Sequence, residues 1–194
     1  MRPHVASSSD RDGERPRLVG IGASAGGLES LELLFGGIPA DSGAAFVVVQ
    51  HLSADHRSMM PELRARVCAL PVAVALQGQP VTANTVTLIP PGQFLTVHEG
   101  RFVLEPKPRP PTLTLPIDRF FESMAAEWGE DAVGVILSGT GSDGTRGAER
   151  LRSAGGFVVA EDPSIAQFDG MPRSVIDAGV VDLVAKADEI GRFL

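Results

Sequence analysis

The sequence predicts an α/β fold with a doubly wound, mostly parallel sheet, helices on both faces and one antiparallel hairpin. Three observations predict it. Continuous apolar runs such as 46–49 and 132–137 are typical of strands buried on both faces. Segments with helical spacing of apolar residues alternate with these runs along the chain. Two apolar runs at 94–97 and 102–104 flank a turn with Gly100, as in a hairpin.

The first half of the chain begins with an apolar strand at 18–21, which leads into the glycines around Ser24. Leucines at helical spacing over 28–34 predict a helix, and Gly36 with Gly37 ends it. The run at 46–49 predicts a central strand. Further elements predicted before the hairpin are a helix at 58–69 and strands at 71–76 and 86–89.

The second half begins with prolines that recur between 106 and 116, which predicts an extended connector outside any strand ladder. A helix follows over 117–128, with Phe120, Phe121 and Met124 on its inner face. The remaining predicted elements are strands at 132–137, 157–160 and 180–184, and helices at 145–154, after Asp169 and at the end of the chain.

Composition excludes several classes of protein. The 194 residues, 43% hydrophobic and 21% charged, suit one globular domain rather than a disordered chain. A net charge of -7 argues against nucleic acid as the main partner, because phosphate contacts need a basic face. The sequence contains no apolar run of about 18 residues and no signal-peptide core, so we expect a cytoplasmic protein without direct membrane insertion.

Two segments outside the regular elements carry expectations of their own. Residues 1–16 are polar and aperiodic and are expected to form a disordered leader, leaving 17–194 as the folded domain. Cys68 is the one cysteine, which excludes an internal disulfide, and it is expected to be a buried small hydrophobe rather than a reactive thiol.

A serine, a histidine and an aspartate stand at the carboxyl ends of three predicted strands. Ser24 lies in a glycine-rich turn after the first strand, His51 follows the second, and Asp143 lies in the glycine-rich segment 139–144. The carboxyl ends of parallel strands open onto one crevice. These three residue types form a hydrolytic triad, in which the acid orients the base and the base activates the nucleophile. The sequence therefore predicts a serine hydrolase site.

Each of these residues also has a plainer interpretation. Gly20, Gly22 and Ala25 fit the dinucleotide-binding turn, although no acidic residue follows the second strand to hold a ribose. Ser24 and Asp143 could each cap a helix. His51 could be a hydrogen-bonded residue at a strand end.

His51 also forms a spaced pair with His56, with Asp55 between them. No third ligand follows at the usual zinc spacing, so we predict neither a metal nor a cofactor.

Five segments, in order, resemble the catalytic domain of chemotaxis protein-glutamate methylesterases, the CheB family. The matching segments are GIGASAGG at 20–27, QHL at 50–52, IPPG at 89–92, ILSGTGSDG at 136–144 and GMPR at 170–173. The resemblance implies a hydrolase that removes methyl esters from glutamate side chains on receptor helices, and that can also deamidate receptor glutamines. It implies that Ser24 is the nucleophile, His51 the general base and Asp143 the orienting acid.

The rest of the site is expected around these residues. The backbone amides of Ala25 and Thr140 are candidates for the oxyanion hole, because both lie in glycine-rich strand-to-helix turns. Arg57, Met171 and Arg173 are expected at the substrate rim, where the arginines would attract acidic receptor helices. Ordinary surface solvation is the alternative for the arginines. The expected partners are methylated receptor helices, with a receptor methyltransferase or a separate response regulator as further partners.

Three departures from the family pattern matter. Well-known members carry threonine where Ala25 stands and methionine where Thr140 stands, which is tolerable if these positions act through the backbone. No receiver domain precedes the catalytic segments in this sequence, so it resembles modules that are fused to a methyltransferase or stand alone. The alternative function is a non-catalytic module of the same fold that binds receptor helices or a methyltransferase.

Overall fold

A parallel sheet forms the centre of the computed structural model, which describes residues 15–50, 68–108 and 112–194. Within these ranges the sheet contains seven strands in the order β3-β4-β2-β1-β7-β8-β9, and every neighbouring pair is parallel. The strands are β1 (Leu18–Ala23), β2 (Ala45–Gln50), β3 (Val72–Val74), β4 (Thr85–Leu88), β7 (Ala132–Ile136), β8 (Phe157–Glu161) and β9 (Leu183–Ala185). The predicted α/β class is confirmed.

A separate hairpin pairs β5 (Gln93–His98) with β6 (Arg101–Pro106) in antiparallel register. Its turn contains Gly100 at a φ of 74°, a conformation that glycine adopts without strain. The hairpin predicted from the sequence is therefore present.

Helices cover both faces of the sheet. They are α1 (Gly27–Gly37), α2 (Pro116–Trp128), α3 (Thr145–Ser153), α4 (Gly170–Asp177) and α5 (Ala187–Phe193), with a 3-10 turn at Gly129–Asp131. α1 and α5 share one hydrophobic core, while α2, α3, α4 and the hairpin share the other.

The two cores take alternate residues of the central strands. Val19 and Ile21 of β1 point into the core under α1, and Leu18 points into the core under α2. Gly20 and Gly22 stand on the α2 side without side chains. This period of two, with both faces apolar, explains why the strands appear in the sequence as unbroken hydrophobic runs.

Some predicted boundaries differ from the structure. The strand expected at 71–76 is only Val72–Val74, and Leu76 just beyond it is 67% exposed at the edge of the sheet. The strand expected at 180–184 is Leu183–Ala185. A turn with Gly179 at a φ of 72° precedes it, and the chain rejoins the sheet where the Asp182 N–H donates to the Val158 carbonyl at 2.8 Å.

Two predicted segments fall wholly or mostly outside the described ranges. The helix expected at 58–69 is one, and the leader expected at 1–16 is the other. The last two leader residues are described and contact the end of α2. The Arg15 guanidinium lies 4.1 Å from the centre of the Trp128 ring, and the Trp128 indole N–H donates to the Pro16 carbonyl at 2.9 Å.

Among the helices of the described residues, none combines the length and the apolar character that crossing a bilayer requires.

Candidate active site

The three residues predicted as a triad follow three adjacent strands. Ser24 comes directly after β1, which lies between β2 and β7 in the sheet. Asp143 follows β7 by a short loop. His51 is the next residue after Gln50, the last residue of β2, and lies outside the described residues. The topology therefore places Ser24, Asp143 and the carboxyl end of β2 at the same sheet edge, as parallel strand ends require.

The turn at Ser24 joins the centre of the sheet to α1. The Ser24 N–H donates to the Ser138 carbonyl at 3.0 Å, and the Gly27 N–H donates to the Ser24 carbonyl at 3.0 Å. Gly26 precedes the helix at a φ of 69° and is its N-cap, without a side-chain capping bond. The interpretation of Ser24 as a helix cap is therefore wrong, and its half-buried side chain does not serve the first turn of α1.

Backbone donors lie beside Ser24 on two turns. Within the described ranges, neither the Ala25 N–H nor the Thr140 N–H donates a hydrogen bond. The N–H of Gly139, by contrast, is bonded to the Phe168 carbonyl at 2.9 Å. Available amides at a helix start and in a glycine-rich turn are suited to binding a developing oxyanion.

Gly139 leaves space that the site uses. A Cβ at this position would lie 2.9 Å from the Ser24 Cβ and 2.3 Å from the Met171 Sδ. Met171 is 1% exposed and its N–H donates to the Gly139 carbonyl at 2.9 Å. The expectation that Met171 lies at the substrate rim is thus corrected: its side chain packs behind Gly139 into the hydrophobic core shared by α2, α3 and α4.

The buried carboxylate of Glu161 is hydrogen-bonded to Ser138, which in turn bonds to the turn at Ser24. The Ser138 N–H donates to Glu161 Oε2 at 2.7 Å, and the Ser30 hydroxyl donates to Glu161 Oε1 at 2.9 Å. The Ser138 hydroxyl donates to the Ala25 carbonyl at 2.9 Å and accepts from the Phe168 N–H at 3.0 Å. Glu161 is 4% exposed, and burial raises the pKa of its carboxyl.

Sequence reasoning missed this network. The signal available was Glu161 itself, an acidic residue that ends the apolar strand β8 at its carboxyl end. A buried carboxylate that accepts a backbone N–H and a hydroxyl is a satisfied polar group, so it stabilises one arrangement of the loops it joins.

Asp143 is bound to the start of α2. Its Oδ2 accepts from the Ile117 N–H at 3.0 Å, and its Oδ1 accepts from the Asp118 N–H at 2.9 Å. The carboxylate is 3% exposed. The N-cap of α3 is Gly144, with no side-chain capping bond, so the interpretation of Asp143 as a cap of its own helix is wrong. It caps α2 instead.

Asp118 makes the reverse connection. Its Oδ1 accepts from the Gly144 N–H at 2.9 Å and the Gly147 N–H at 2.8 Å, at the start of α3. Asp118 is also 3% exposed, and burial, with a contribution from the nearby Asp143, raises its pKa. In the sequence, Asp118 is an acidic residue in the first turn of a helix that begins with Pro116. Such residues are common at helix starts, so the sequence alone does not reveal the bonds of Asp118 to α3.

The expected rim arginines have different outcomes. Arg57 lies outside the described residues. The Arg173 Nε donates to Asp169 Oδ2 one helical turn away, and its side chain is 60% exposed. This hydrogen bond lowers the pKa of Asp169. Exposure is compatible with a rim position, and the ion pair is equally typical of a solvated surface.

The glycines of the possible nucleotide-binding turn are covered by the protein itself. A Cβ at Gly20 would lie 2.4 Å from the Met124 Sδ, and one at Gly22 would lie 2.6 Å from the Ile117 Cγ2. Both glycines thus allow α2 to pack closely on β1. A dinucleotide fold uses its glycines to let the pyrophosphate approach the backbone, so this packing disfavours the nucleotide interpretation.

In the part of the chain that the structure describes, no group of three or more His, Cys, Asp or Glu residues is placed to hold a metal ion. The spaced pair His51 and His56 lies outside that part.

Comparisons with known proteins agree on one family. The family described as CheB methylesterase matches residues 19–194. The crystal structure of the Thermotoga maritima CheB methylesterase catalytic domain superposes with a TM-score of 0.81 at 31% sequence identity, covering 93% of this chain and 97% of that one.

Two curated relatives are longer than this chain. A protein of Cupriavidus metallidurans named protein-glutamate methylesterase/protein-glutamine glutaminase 2 is 35% identical over 189 residues, which are 97% of this chain and 56% of that protein. An uncharacterized 104.1 kDa protein of Rhodobacter capsulatus is 47% identical over 135 residues, which are 70% of this chain and 14% of that protein. The chain spans little more than half of the first relative and a small part of the second.

Proposed function

The chain belongs to the CheB methylesterase family, and from this premise we propose that it is a serine hydrolase that removes methyl esters from glutamate side chains of receptor proteins. One observation carries the proposal. The Ser24 turn and the turn that leads to Asp143 are hydrogen-bonded to each other through Ser24 and Ser138 at one edge of the sheet. His51 follows the strand next to Ser24 on the other side.

The proposed reaction has two steps. The Ser24 hydroxyl attacks the ester carbonyl while the His51 imidazole accepts its proton, and the tetrahedral intermediate expels methanol after His51 returns that proton to the methoxy oxygen. Water then attacks the acyl-enzyme by the same proton route and releases the glutamate carboxyl. Asp143 orients His51 and stabilises the imidazolium that forms during each attack.

The backbone amides of Ala25 and Thr140 are proposed to bind the oxyanion. Neither amide has a partner among the described residues, and both sit in turns beside Ser24. Because a backbone N–H depends little on its side chain, alanine or threonine is acceptable at either position. Exchanging Ala25→Thr or Thr140→Ala should leave kcat within about three-fold.

The substrate and partners follow from the family. We propose that the substrate lies on methylated receptor helices in the cytoplasm, and that glutamine side chains there are deamidated by the same acyl-enzyme route, with ammonia as the leaving group. A receptor methyltransferase or a separate response regulator is the proposed regulatory partner. The Cupriavidus relative carries both activities in its name, which supports the pairing of esterase and glutaminase.

The experiment is methanol release from a methylated receptor fragment, measured for the wild type and for Ser24→Ala. We expect the variant to lose activity by roughly 10⁴-fold or more while its circular dichroism spectrum is unchanged. A serine-directed phosphonate probe should label the wild type once, at Ser24. A wild-type protein that binds the receptor fragment but releases no methanol and takes no label would instead be a non-catalytic module of this fold.

A further inference from the structure

Two aspartates at the starts of α2 and α3 hold each other's helices. Asp143 accepts two backbone N–H groups of α2, and Asp118 of α2 accepts two backbone N–H groups at the start of α3. Resting on the proposed function, we propose that Asp118 is a positioning residue for the reaction: it fixes the loop that carries Asp143 and places a second negative charge beside that acid.

The positional part follows from where the bonds go. The two donors to Asp118 Oδ1 are the N–H groups of Gly144, directly after Asp143, and of Gly147, in the first turn of α3. Asp143 is therefore held in two ways. Its carboxylate accepts N–H groups of α2, and the N–H of the next residue, Gly144, donates to the Asp118 carboxylate. Hydrogen bonds to charged groups are stronger than those between neutral groups, so the ring of four bonds leaves the Asp143 carboxylate little freedom.

Close packing of the two helices reinforces the ring. A Cβ at Gly147 would lie 2.6 Å from the Phe121 Cβ and 2.8 Å from the Asp118 carbonyl oxygen. α3 thus touches the backbone of α2 at the point where the aspartates exchange bonds. A displacement of Asp118 has to move the Asp143 loop with it.

The charge part follows from the donors around the pair. Three of the four carboxylate oxygens accept backbone N–H groups, which is the pattern expected of ionised carboxylates. Arg146 of α3 approaches Asp118 Oδ2 at 4.0 Å, but its side chain is 68% exposed and also pairs with Glu122. Lys107, on the connector before α2, interacts electrostatically with Asp143, and burial lowers its pKa.

In the proposed mechanism the His51 imidazolium forms next to Asp143, where both negative charges would stabilise it. Asp143 orients His51 in the proposed mechanism, and a second carboxylate next to Asp143 further favours the protonated imidazole, since opposite charges attract strongly where water is scarce. Removing the Asp118 charge should therefore lower the pKa of His51. The limb of the kcat/KM profile on which activity rises with pH should then move to lower pH.

Two variants separate position from charge. Asp118→Asn keeps an Oδ1 acceptor for both N–H groups and removes the charge, so we expect kcat within about five-fold of wild type and an acidic limb lowered by about half a pH unit. Asp118→Ala removes charge and acceptor together. We expect it to lower kcat about 10- to 100-fold with KM little changed, because the acid is no longer held in place.

Asp182 provides the matched control. It also accepts a backbone N–H, from Val158 at 2.9 Å, and its carboxylate also faces an arginine, Arg152 at 3.1 Å. It directly precedes β9, at the amino ends of the strands, whereas Asp118 and Asp143 lie near their carboxyl ends. Asp182→Ala and Asp182→Asn should lower the thermal stability but leave kcat per folded molecule and the acidic limb unchanged.

The His51 imidazole is also titrated by NMR in wild type and Asp118→Asn, with His51→Gln used to assign its signal. A lowered His51 pKa supports the inference even if methanol release from receptor fragments fails, in which case the proposed substrate is wrong instead. An unchanged His51 pKa in Asp118→Asn, or equal loss of kcat in the alanine variants of Asp118 and Asp182, overturns the inference. If Asp118→Ala does not fold, Asp118→Asn alone decides it.

Discussion

The backbone N–H of Ser24 donates to the carbonyl oxygen of Ser138 at 3.0 Å. This bond extends the pairing of β1 and β7 just beyond the ends of the two strands, at Ala23 and Ile136. The turn with the proposed nucleophile and the turn that leads to the proposed acid therefore keep a fixed spacing. Changes that separate them should reduce activity before they unfold the protein.

Gly139→Ala tests this spacing. The added methyl group would lie 2.9 Å from the Ser24 Cβ and 2.3 Å from the Met171 Sδ, so the turns have to move apart. We expect overpacking to cost about 1–3 kcal/mol of unfolding free energy and kcat to fall about 100-fold through the displaced serine. Denaturant unfolding and methanol release per folded molecule measure the two effects.

Gly20→Ala is the control for that variant. Its methyl group would also meet a methionine sulfur, that of Met124 at 2.4 Å, but in the middle of β1. We expect a similar loss of stability with kcat close to wild type. Equal losses of kcat in both glycine variants would mean that general strain, and not the place of Ser24, limits the reaction.

His51→Ala should lower kcat almost as far as Ser24→Ala, by roughly 10³- to 10⁴-fold, because the serine loses its base. His98→Ala is the comparison. His98 is the last residue of β5, before the hairpin turn; its Nδ1 lies 3.2 Å from Glu127 Oε1 of α2, and the His98 side chain is 70% exposed. Its replacement should leave methanol release unchanged. If the two variants lose the same activity, His51 is not the base.

Glu161 should make stability depend on pH in a direction that can be predicted. Burial raises the pKa of its carboxyl above the ordinary 4.5. A raised pKa in the folded state gives stability that is fully present below pH 4.5 and is lost as pH rises through the folded-state pKa. Relative to Glu161→Gln, the wild type should therefore lose stability as the pH rises above 4.5.

Urea unfolding of wild type and Glu161→Gln at several pH values measures this difference. Glu149, which is exposed on α3, supplies the control variant Glu149→Gln, which is measured in parallel. A stability difference between wild type and Glu161→Gln that is constant, or that grows with pH in favour of the wild type, would contradict the assignment of a raised pKa.

Arg173 is predicted to contribute to binding of acidic receptor helices from the rim. Arg173→Ala should raise KM about two- to five-fold at low salt, with the effect disappearing at high salt, because exposed charges are screened. Arg192 is matched to it: it also pairs with an aspartate one turn away, Asp188, and its side chain is 61% exposed. Arg192→Ala on α5 should leave KM unchanged, and an equal increase in both variants would remove Arg173 from the rim.

Most of the fold could be predicted because its strands are buried on both faces. The continuous apolar runs at β2 and β7 are typical of strands that are covered on both faces. Short edge strands were less predictable. β3 has only three residues and is the outermost strand of the sheet, with only Val72 buried. The sequence around it therefore does not mark where strand pairing stops.

The candidate site was predictable only in part, for a physical reason. Ser24 and Asp143 lie in glycine-rich turns that local sequence reveals. The partners of these turns come from distant segments: Asp118 is 25 residues from Asp143, and Glu161 is 23 residues from Ser138. Sequence spacing carries no trace of such contacts, because three-dimensional packing alone brings the groups together.

The position of β1 has a consequence for how the chain reaches this state. β1 (Leu18–Ala23) is paired on one side with β2 and on the other with β7 (Ala132–Ile136), which the ribosome makes more than a hundred residues later. Throughout that interval β1, whose six residues are all buried in the folded protein, has a bare hydrogen-bonding edge. A nascent chain stalled before Ala132 should recruit chaperones or aggregate more than the released full-length chain.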